Sequence, residues 1–174
     1  MSTEPPISRR DVGDLLVERG RITERQLDLA RHRRRRLGAP LHRVLVDLGC
    51  VSEDEAWRTV ALSHGLEFVD LSERPFTREE LDSVPLKVIL HFQTLPLGVD
   101  GDAMVLAFSE PPRQVDLANL RMLLNRRIKI VLTTPSAIHA VIKVSFGLGA
   151  QTVERLRDGA IGAVTEIHAW SDAG

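Results

Sequence analysis

Hydrophobic positions in the first third of the chain recur at the three- and four-residue spacing of amphipathic helices. Two stretches share this spacing: Val12, Leu15, Leu16 and Arg19, and then Leu41, Val44, Leu45 and Leu48. Gly20 and Gly49 follow them and are predicted to end these helices, because glycine takes the left-handed cap at no steric cost. Capping-box pairs then open two further helices: Thr23 with Gln26, and Ser52 with Glu55. The pattern predicts four helices between residues 8 and 65.

These four helices form a repeat in sequence. A shift of about 29 residues places Leu16 on Leu45 and Gly20 on Gly49, and it also aligns the two capping boxes. Two helix-turn-helix units of equal length are expected to pack as a pseudo-symmetric four-helix arrangement.

After residue 65 the pattern changes to strands alternating with helices. Short strands are predicted at 67–70, 95–99, 103–108 and 128–132, with Asp100-Gly101 as a hairpin turn. A short helix is predicted after the Thr77 and Glu80 cap, and Pro85 fits a first helical turn. A further helix is predicted over 115–124, and another from Pro135 to Gly147 or Gly149. The helix over 115–124 has one apolar stripe, made of Val115, Leu117, Leu120, Leu123 and Leu124. The sequence therefore predicts an α+β protein with four regions: a flexible lead (1–7), a helical tandem-repeat subdomain (8–65), a small α/β subdomain with a short sheet (66–148), and a short helix with a tail (149–174).

Composition narrows the class of protein. Hydrophobic residues make up 43% of the chain and the net charge is -1, which fits a folded core. Of the 23 basic residues 20 are arginine, and there is no tyrosine, so base stacking on aromatic faces is disfavoured. The single Cys50 excludes an internal disulfide framework and fits a reducing cytoplasm. No apolar run is long enough for a transmembrane segment.

Known catalytic and metal-binding motifs are absent from the sequence. It contains no phosphate-binding G-x-x-x-x-G-K-[ST] loop, and no G-x-G-x-x-G follows a predicted strand. The six histidines are scattered and none has metal-ligand spacing with Cys50. We therefore predict that this chain is not an enzyme and has no metal site.

The most conspicuous charged feature is the run from Arg31 to Arg36. Guanidinium groups bind phosphate through paired hydrogen bonds, so the run is a candidate anion site. The alternative is a solvated helix end, which cations near the C-terminal dipole stabilise, and this alternative is favoured. Residues 1–65 carry 12 basic and 10 acidic groups, a net of only +2, so DNA or RNA binding is not expected. Gly20 and Gly49 precede helix N-termini, whose backbone N–H groups can receive an anion.

The repeat resembles the N-terminal domain of type II secretion and type IV pilus-assembly ATPases. Residues 12–27 (VGDLLVERGRITERQL) are similar to its first repeat, and residues 40–52 (PLHRVLVDLGCVS) to its second. Residues 65–71 (GLEFVDL) and 146–152 (FGLGAQT) also fit, so the resemblance covers most of residues 9–157.

One branch of that family, the MshEN-type domains, binds cyclic-di-GMP through its paired repeats, each opening with Arg-Leu-Gly and closing with Gln. Here Arg10 lies one place early, Arg34 stands at the first closing position, and His42 and Ser63 depart from the pattern in the second repeat. The ligand-binding set that the resemblance implies is Arg10, Gly13, Leu16, Gly20, Arg34, Leu45 and Gly49.

The resemblance implies a non-catalytic docking and regulatory domain with no required cofactor. Its expected partner is the cytoplasmic part of an inner-membrane platform protein, together with an ATPase motor domain if the chain is a fragment. Its expected location is the cytoplasm, peripheral to the inner membrane through that partner. A cyclic-di-GMP receptor is the alternative function.

Overall fold

The computed structural model describes residues 10–147 of the chain. The predicted lead at 1–7 and the predicted helix and tail at 149–174 lie outside these residues. The chain divides between Phe68 and Val69 into two compact units, which are described separately. Helices together with a small four-stranded sheet make the fold class α+β.

The first unit is helical. Its four helices have the bounds α1 Val12–Glu18, α2 Glu24–Leu37, α3 Leu41–Asp47 and α4 Glu53–Ser63. Helix α2 packs against α3, α4 packs against α1 and α3, and α1 also contacts α2 and α3.

The turns after α1 and α3 have the same hydrogen-bond geometry. Gly20 has φ 64° and Gly49 has φ 69°, the left-handed region that glycine adopts without strain. The N–H of Arg21 donates to Leu16 O at 2.8 Å, and the N–H of Cys50 donates to Leu45 O at 3.0 Å. These bonds are the six-to-one contacts of a Schellman motif, so the predicted glycine ends of both helices are confirmed.

Two local predictions in this unit were wrong. Arg19 lies past the end of α1 and is exposed, because the helix ends one residue earlier than the apolar spacing suggested. The box at Ser52 is only half formed: Ser52 Oγ accepts from the N–H of Glu55 at 3.3 Å, without the reciprocal bond seen at Thr23. Arg21 Nε lies 3.2 Å from the Glu55 carboxylate, which is therefore held by a residue of the turn after α1.

The second unit is a small α/β fold whose elements follow the predicted order. The helices are α5 Arg78–Asp82, α6 Leu86–Phe92, α7 Gln114–Leu124 and α8 Pro135–Phe146. Its strands are β2 Thr94–Asp100, β3 Ala103–Phe108 and β4 Arg127–Leu132. Strand β1 is only Glu67–Phe68, shorter than predicted, and lies at the end of the first unit.

The sheet has the strand order β1-β4-β3-β2. Strands β2 and β3 form the predicted antiparallel hairpin, with Thr94 opposite Phe108 and a bulge between Pro96 and Val99. Strand β4 runs parallel to β3, with Ala103 opposite Arg127, and α7 is the crossover that parallel pairing requires.

Helix α7 has a narrower buried face than predicted. The sequence grouped Val115 and Leu123 with Leu117 and Leu120 in one inward stripe. Only Leu117 and Leu120 are buried, whereas Val115 and Leu123 are exposed together with Met122. The sheet covers only the buried stripe of this helix, so its apolar outer residues remain on the surface.

Arg74 connects the segment before α5 to α5 and to strand β2 through hydrogen bonds. Its guanidinium donates to Glu80 at 2.6 Å and to Leu97 O at 3.0 Å, and it lies 4.7 Å from the centre of the Phe76 ring. The Arg74 hydrogen bond, followed by the Thr77 N–H, lowers the pKa of Glu80 below its usual value. Glu80 thus also completes the predicted capping box with Thr77.

Candidate functional site

The seven residues implied by the resemblance lie in three kinds of environment. Leu16 and Leu45 are fully buried and belong to one core cluster with Leu27 and Leu41. They can support the residues of a site through packing, but they offer no polar contact to a ligand. The cluster draws on the first three helices, so the two leucines fix how α1 and α3 pack against each other.

Gly13 is buried where α1 approaches its neighbours. A Cβ there would overlap Leu27 Cδ1 and lie 2.9 Å from Leu41 Cδ2. Its N–H donates to the side chain of Asp11, the N-cap of α1, at 2.8 Å. Gly13 therefore allows the close packing of α1 against Leu27 and Leu41, independently of any ligand.

Gly20 and Gly49 are exposed, with no atom within 4 Å of a Cβ built on either. The helix N-termini that follow them are partly satisfied already. Thr23 Oγ1 accepts from the N–H of Gln26 at 3.2 Å, and Ser52 caps α4 in the same manner. The first turn of α4 also carries Glu53, Asp54 and Glu55. Three carboxylates at this helix start oppose binding of an anion there.

Arg34 lies in an open groove of about 770 Å³ at the end of α2. The residues that line this groove, called here the Arg34 groove, are Arg31, Arg34, Arg35, Gly38, Ala39 and Pro40. Pro40 is the N-cap of α3, so the groove joins the end of the first helix pair to the beginning of the second.

The arginines of the Arg34 groove differ in their partners. Arg31 donates to Asp14 at 2.8 Å and lies 3.5 Å from Asp11. The hydrogen bond to Asp14 is the main cause that raises the pKa of Arg31. Among the described residues, Arg34 and Arg35 have no carboxylate within ion-pair distance, so their charges are available to an anion.

Arg10 is separate from this groove. Its guanidinium lies 3.4 Å from Glu18 and its side chain is 69% exposed, which is a surface ion pair. Of the implied polar residues, the structure thus brings only Arg34 into a concave, basic environment, and Arg10 does not line that groove.

In the second helix pair, protein side chains fill the corresponding positions. His42, which stands where Gly13 stands in the first pair, is 7% exposed and meets the Trp57 ring edge-on at 4.8 Å. Ser63, at the closing position, donates to Val60 O at 2.8 Å. Sequence reasoning missed Trp57, whereas the groove members Arg31 and Arg35 belong to the arginine run that it named as a candidate anion site. Arg34 and Arg31 follow Leu27 by seven and four residues, the inward helical spacing, which was the signal available.

Two searches of the described part of the chain bear on other classes of site. Among residues 10–147, no group of three or more His, Cys, Asp or Glu side chains could hold a metal ion. No helix within the same range is long and apolar enough to cross a membrane.

Comparison with known families identifies the class of this chain. The family model described as the MshEN domain matches residues 64–151, half of the chain. This chain therefore belongs to the MshEN domain family, which confirms the resemblance seen in its sequence. The matched segment covers most of the α/β unit, whereas pairwise comparisons extend over more of the chain.

The chain is similar to segments of much longer proteins. It is 27% identical over 125 residues to "Bacteriophage adsorption protein B" of Escherichia coli K12, covering 72% of this chain and 17% of that protein. It is also 27% identical over 140 residues to "Type IV pilus assembly ATPase PilB" of Thermus thermophilus, covering 79% and 16%. The chain thus spans less than a fifth of the length of these relatives.

This chain matches nearly the whole length of two solved structures. The structure of MshE with cdg has a TM-score of 0.66 and 25% identity, covering 76% of this chain and 96% of that chain. The N-terminal domain of XpsE has a TM-score of 0.58 and 23% identity, covering 82% and 97%, which is a likeness of fold.

Proposed function

We propose that this chain is a non-catalytic docking and regulatory domain of a type II secretion or type IV pilus-assembly ATPase, binding the cytoplasmic part of an inner-membrane platform protein. One observation carries the proposal: the chain covers 96% of the solved MshE chain but only 16% of the pilus ATPase from Thermus thermophilus. A domain-length match to a small part of an ATPase supports an accessory role, with the motor as its covalent or bound partner. Its location would be cytoplasmic, at the inner membrane through the platform protein.

The exposed face of α7 is the surface that we assign to this docking. Val115, Met122 and Leu123 are 56%, 81% and 57% exposed on one helix. Arg121, Arg126 and Ile128 line an open groove at the C-terminal end of this helix. Apolar side chains beside guanidinium groups suit a partner surface that combines apolar and acidic residues.

Association of the whole chain with the purified cytoplasmic domain of the platform protein from the same secretion or pilus system tests this proposal. Met122→Asp is expected to weaken binding about tenfold or more, because it places a carboxylate in a desolvated apolar contact. Val144→Asp is the matched control, since Val144 is 84% exposed on α8 and lies outside the α7 face. Isothermal titration gives both affinities.

Each result has a defined consequence. Absence of association up to high micromolar concentration would contradict docking to that protein. Association that Met122→Asp leaves unchanged, or that Val144→Asp weakens equally, would contradict the α7 assignment alone.

The alternative function is a cyclic-di-GMP receptor, and the solved structure of MshE with cdg favours it. The candidate ligand-binding residues remain Arg10, Gly13, Leu16, Gly20, Arg34, Leu45 and Gly49. The Arg34 groove supports this alternative, because Arg34 and Arg35 could donate to phosphate oxygens. The buried His42 weighs against a second, equivalent half-site.

Titration with cyclic-di-GMP separates the two functions. A receptor is expected to give saturable heat in the micromolar range, and Arg34→Ala should weaken binding by about tenfold or more. Arg36→Ala is the matched control, because Arg36 lies on the same helix but outside the Arg34 groove. Arg10→Ala tests whether the groove extends to α1. Absence of heat for the unaltered chain would contradict the receptor function.

We further propose that the two helix pairs form one pseudo-symmetric tandem repeat. The matched Schellman turns at Gly20 and Gly49 support it. So does the pairing of α2 with α3 and of α4 with α1, since exchange of the two pairs converts one contact into the other. The boundary at residue 65 between the two subdomains remains a prediction.

A further inference from the structure

The side of α2 that faces away from the Arg34 groove carries a second, distinct surface. Leu29, His32, Arg33, Arg36 and Leu37 line it, around an open depression of about 530 Å³. These five residues are called the outer α2 face below. Leu29 and Leu37 are 55% and 59% exposed, whereas Leu27 on the same helix is fully buried.

Helical geometry places these residues on one side. At 100° per residue, Arg33 lies about 40° from Leu29, Leu37 about 80°, and Arg36 about 20° on the other side. The fully buried Leu27 lies about 160° from Leu29, on the opposite side of the helix, and the buried Ala30 lies about 100° away, at the edge of the face. The outer α2 face therefore joins two leucines, about 12 Å apart along the axis, to two guanidinium groups.

The positive charges of this face are not neutralised within the described residues. Arg33 and Arg36 have no carboxylate at ion-pair distance there, in contrast to Arg31, which is held by Asp14. Asp28, the nearest acidic residue in sequence, lies about 100° from Leu29 and so flanks the face.

We propose that the outer α2 face lies on the surface of an anionic bilayer. In this arrangement Arg33 and Arg36 meet lipid phosphates, while Leu29 and Leu37 enter the headgroup region. A helix that is basic and carries exposed leucines on one side binds in this interfacial manner, since apolar burial and attraction to anionic lipid add together. The contact is direct and does not need the platform protein, so it goes beyond the proposed docking function.

The same residues fit other polyanions less well. A nucleic-acid backbone would attract the arginines but leave both leucines in water, and this face has no aromatic side chain on which bases could stack. A folded acidic protein would bind through an apolar anchor in a central pocket. Here the residues between the two leucines along the helix are His32, Arg33 and Arg36, so no apolar side chain lies between Leu29 and Leu37 in the lining set.

Co-sedimentation of the whole chain with vesicles tests the proposal. Vesicles of phosphatidylethanolamine and phosphatidylglycerol are compared with vesicles of phosphatidylcholine alone. Binding to the anionic vesicles is expected to be about tenfold stronger or more, and to weaken as salt rises from about 0.1 M to about 0.5 M. Equal binding to both vesicle types, or none to either, would overturn the proposal.

Two double variants separate the contributions. Arg33→Glu with Arg36→Glu should abolish the preference for anionic vesicles. The control with the same change in net charge is Arg78→Glu with Arg113→Glu, on exposed residues of the second unit, and it should retain most of the binding. An equal loss in both would show an effect of net charge alone and overturn the assignment to α2.

The double variant Leu29→Ser with Leu37→Ser tests whether the two leucine side chains enter the headgroup region of the bilayer. A loss of about fivefold or more is expected, because two apolar side chains leave the headgroup region. Unchanged binding would overturn the proposal in favour of attraction to phosphate alone. Binding to poly-glutamate with the same variant profile, without vesicle binding, would assign the face to an acidic protein instead. Far-UV circular dichroism confirms that each variant is folded.

Discussion

Replacing Leu45 with alanine is expected to lower the free energy of unfolding of the helical unit by about 3 kcal/mol, and Leu16→Ala should have a similar effect. Both side chains are fully buried, and both belong to the core cluster shared by α1, α2 and α3. Removing three side-chain carbons leaves a cavity that the surrounding leucines cannot fill without leaving their rotamers.

Trp57 gives a local probe for this measurement. It is 2% exposed on α4, so its fluorescence reports unfolding of the helical unit, and a Trp170→Phe background removes the second tryptophan. Urea titration gives the free energy of unfolding. Leu29→Ala is the control and should cost less than about 1 kcal/mol, since Leu29 is 55% exposed. A cost at Leu45 as small as that of Leu29 would show that Leu45 is not part of a packed core.

The two core changes also test the repeat. Because Leu16 and Leu45 share one cluster, the double variant should deviate from additivity by about 0.5 kcal/mol or more. Strict additivity would indicate two independent helix pairs and would contradict a joint tandem-repeat core.

Local signals made most of the element order predictable from sequence. The left-handed glycines Gly20 and Gly49 and the cap at Thr23 each act within one helical turn, so the residue type alone marks a helix end. The glycine of the predicted Asp100-Gly101 turn likewise marked the hairpin of β2 and β3, but Asp100 pairs with Ala103, so the two turn residues are Gly101 and Asp102. These features need no knowledge of distant residues.

Two of the wrong predictions depended on tertiary contacts. Glu55 was expected to complete a capping box, but Arg21 holds its carboxylate. Val115 was expected to face inward, yet the sheet covers only Leu117 and Leu120. Spacing gives the phase of a helix but not the width of the surface that packs against it.

The candidate site likewise has one part that local sequence patterns could predict and one part that depends on tertiary structure. The inward phase of Arg34 could be derived from Leu27, whereas its groove required knowledge of where Pro40 begins the next helix. The edge-on contact of His42 with Trp57 joins two helices, and no local pattern indicated it.

Gly13→Val is expected to destabilise the helical unit by about 2 kcal/mol. The added side chain would overlap Leu27 and crowd Leu41, and overpacking of a dense core costs about 1–3 kcal/mol. Valine regains part of this through its higher helix propensity than glycine. The same Trp57 titration measures the loss.

Leu27→Ala supplies the compensating change. In the second helix pair the position of Gly13 holds the bulky His42, and the position of Leu27 holds the small Ala56. If a larger side chain at one of these positions is compensated by a smaller one at the other, the double variant Gly13→Val with Leu27→Ala should lose about 1 kcal/mol less stability than the two single variants lose in total. The Gly13→Val and Leu29→Ala pair is the control and should be additive, because Leu29 points away from α1. A cost below about 0.5 kcal/mol for Gly13→Val would show that the backbone of α1 can shift, and additivity with Leu27→Ala would show that the clash is relieved elsewhere.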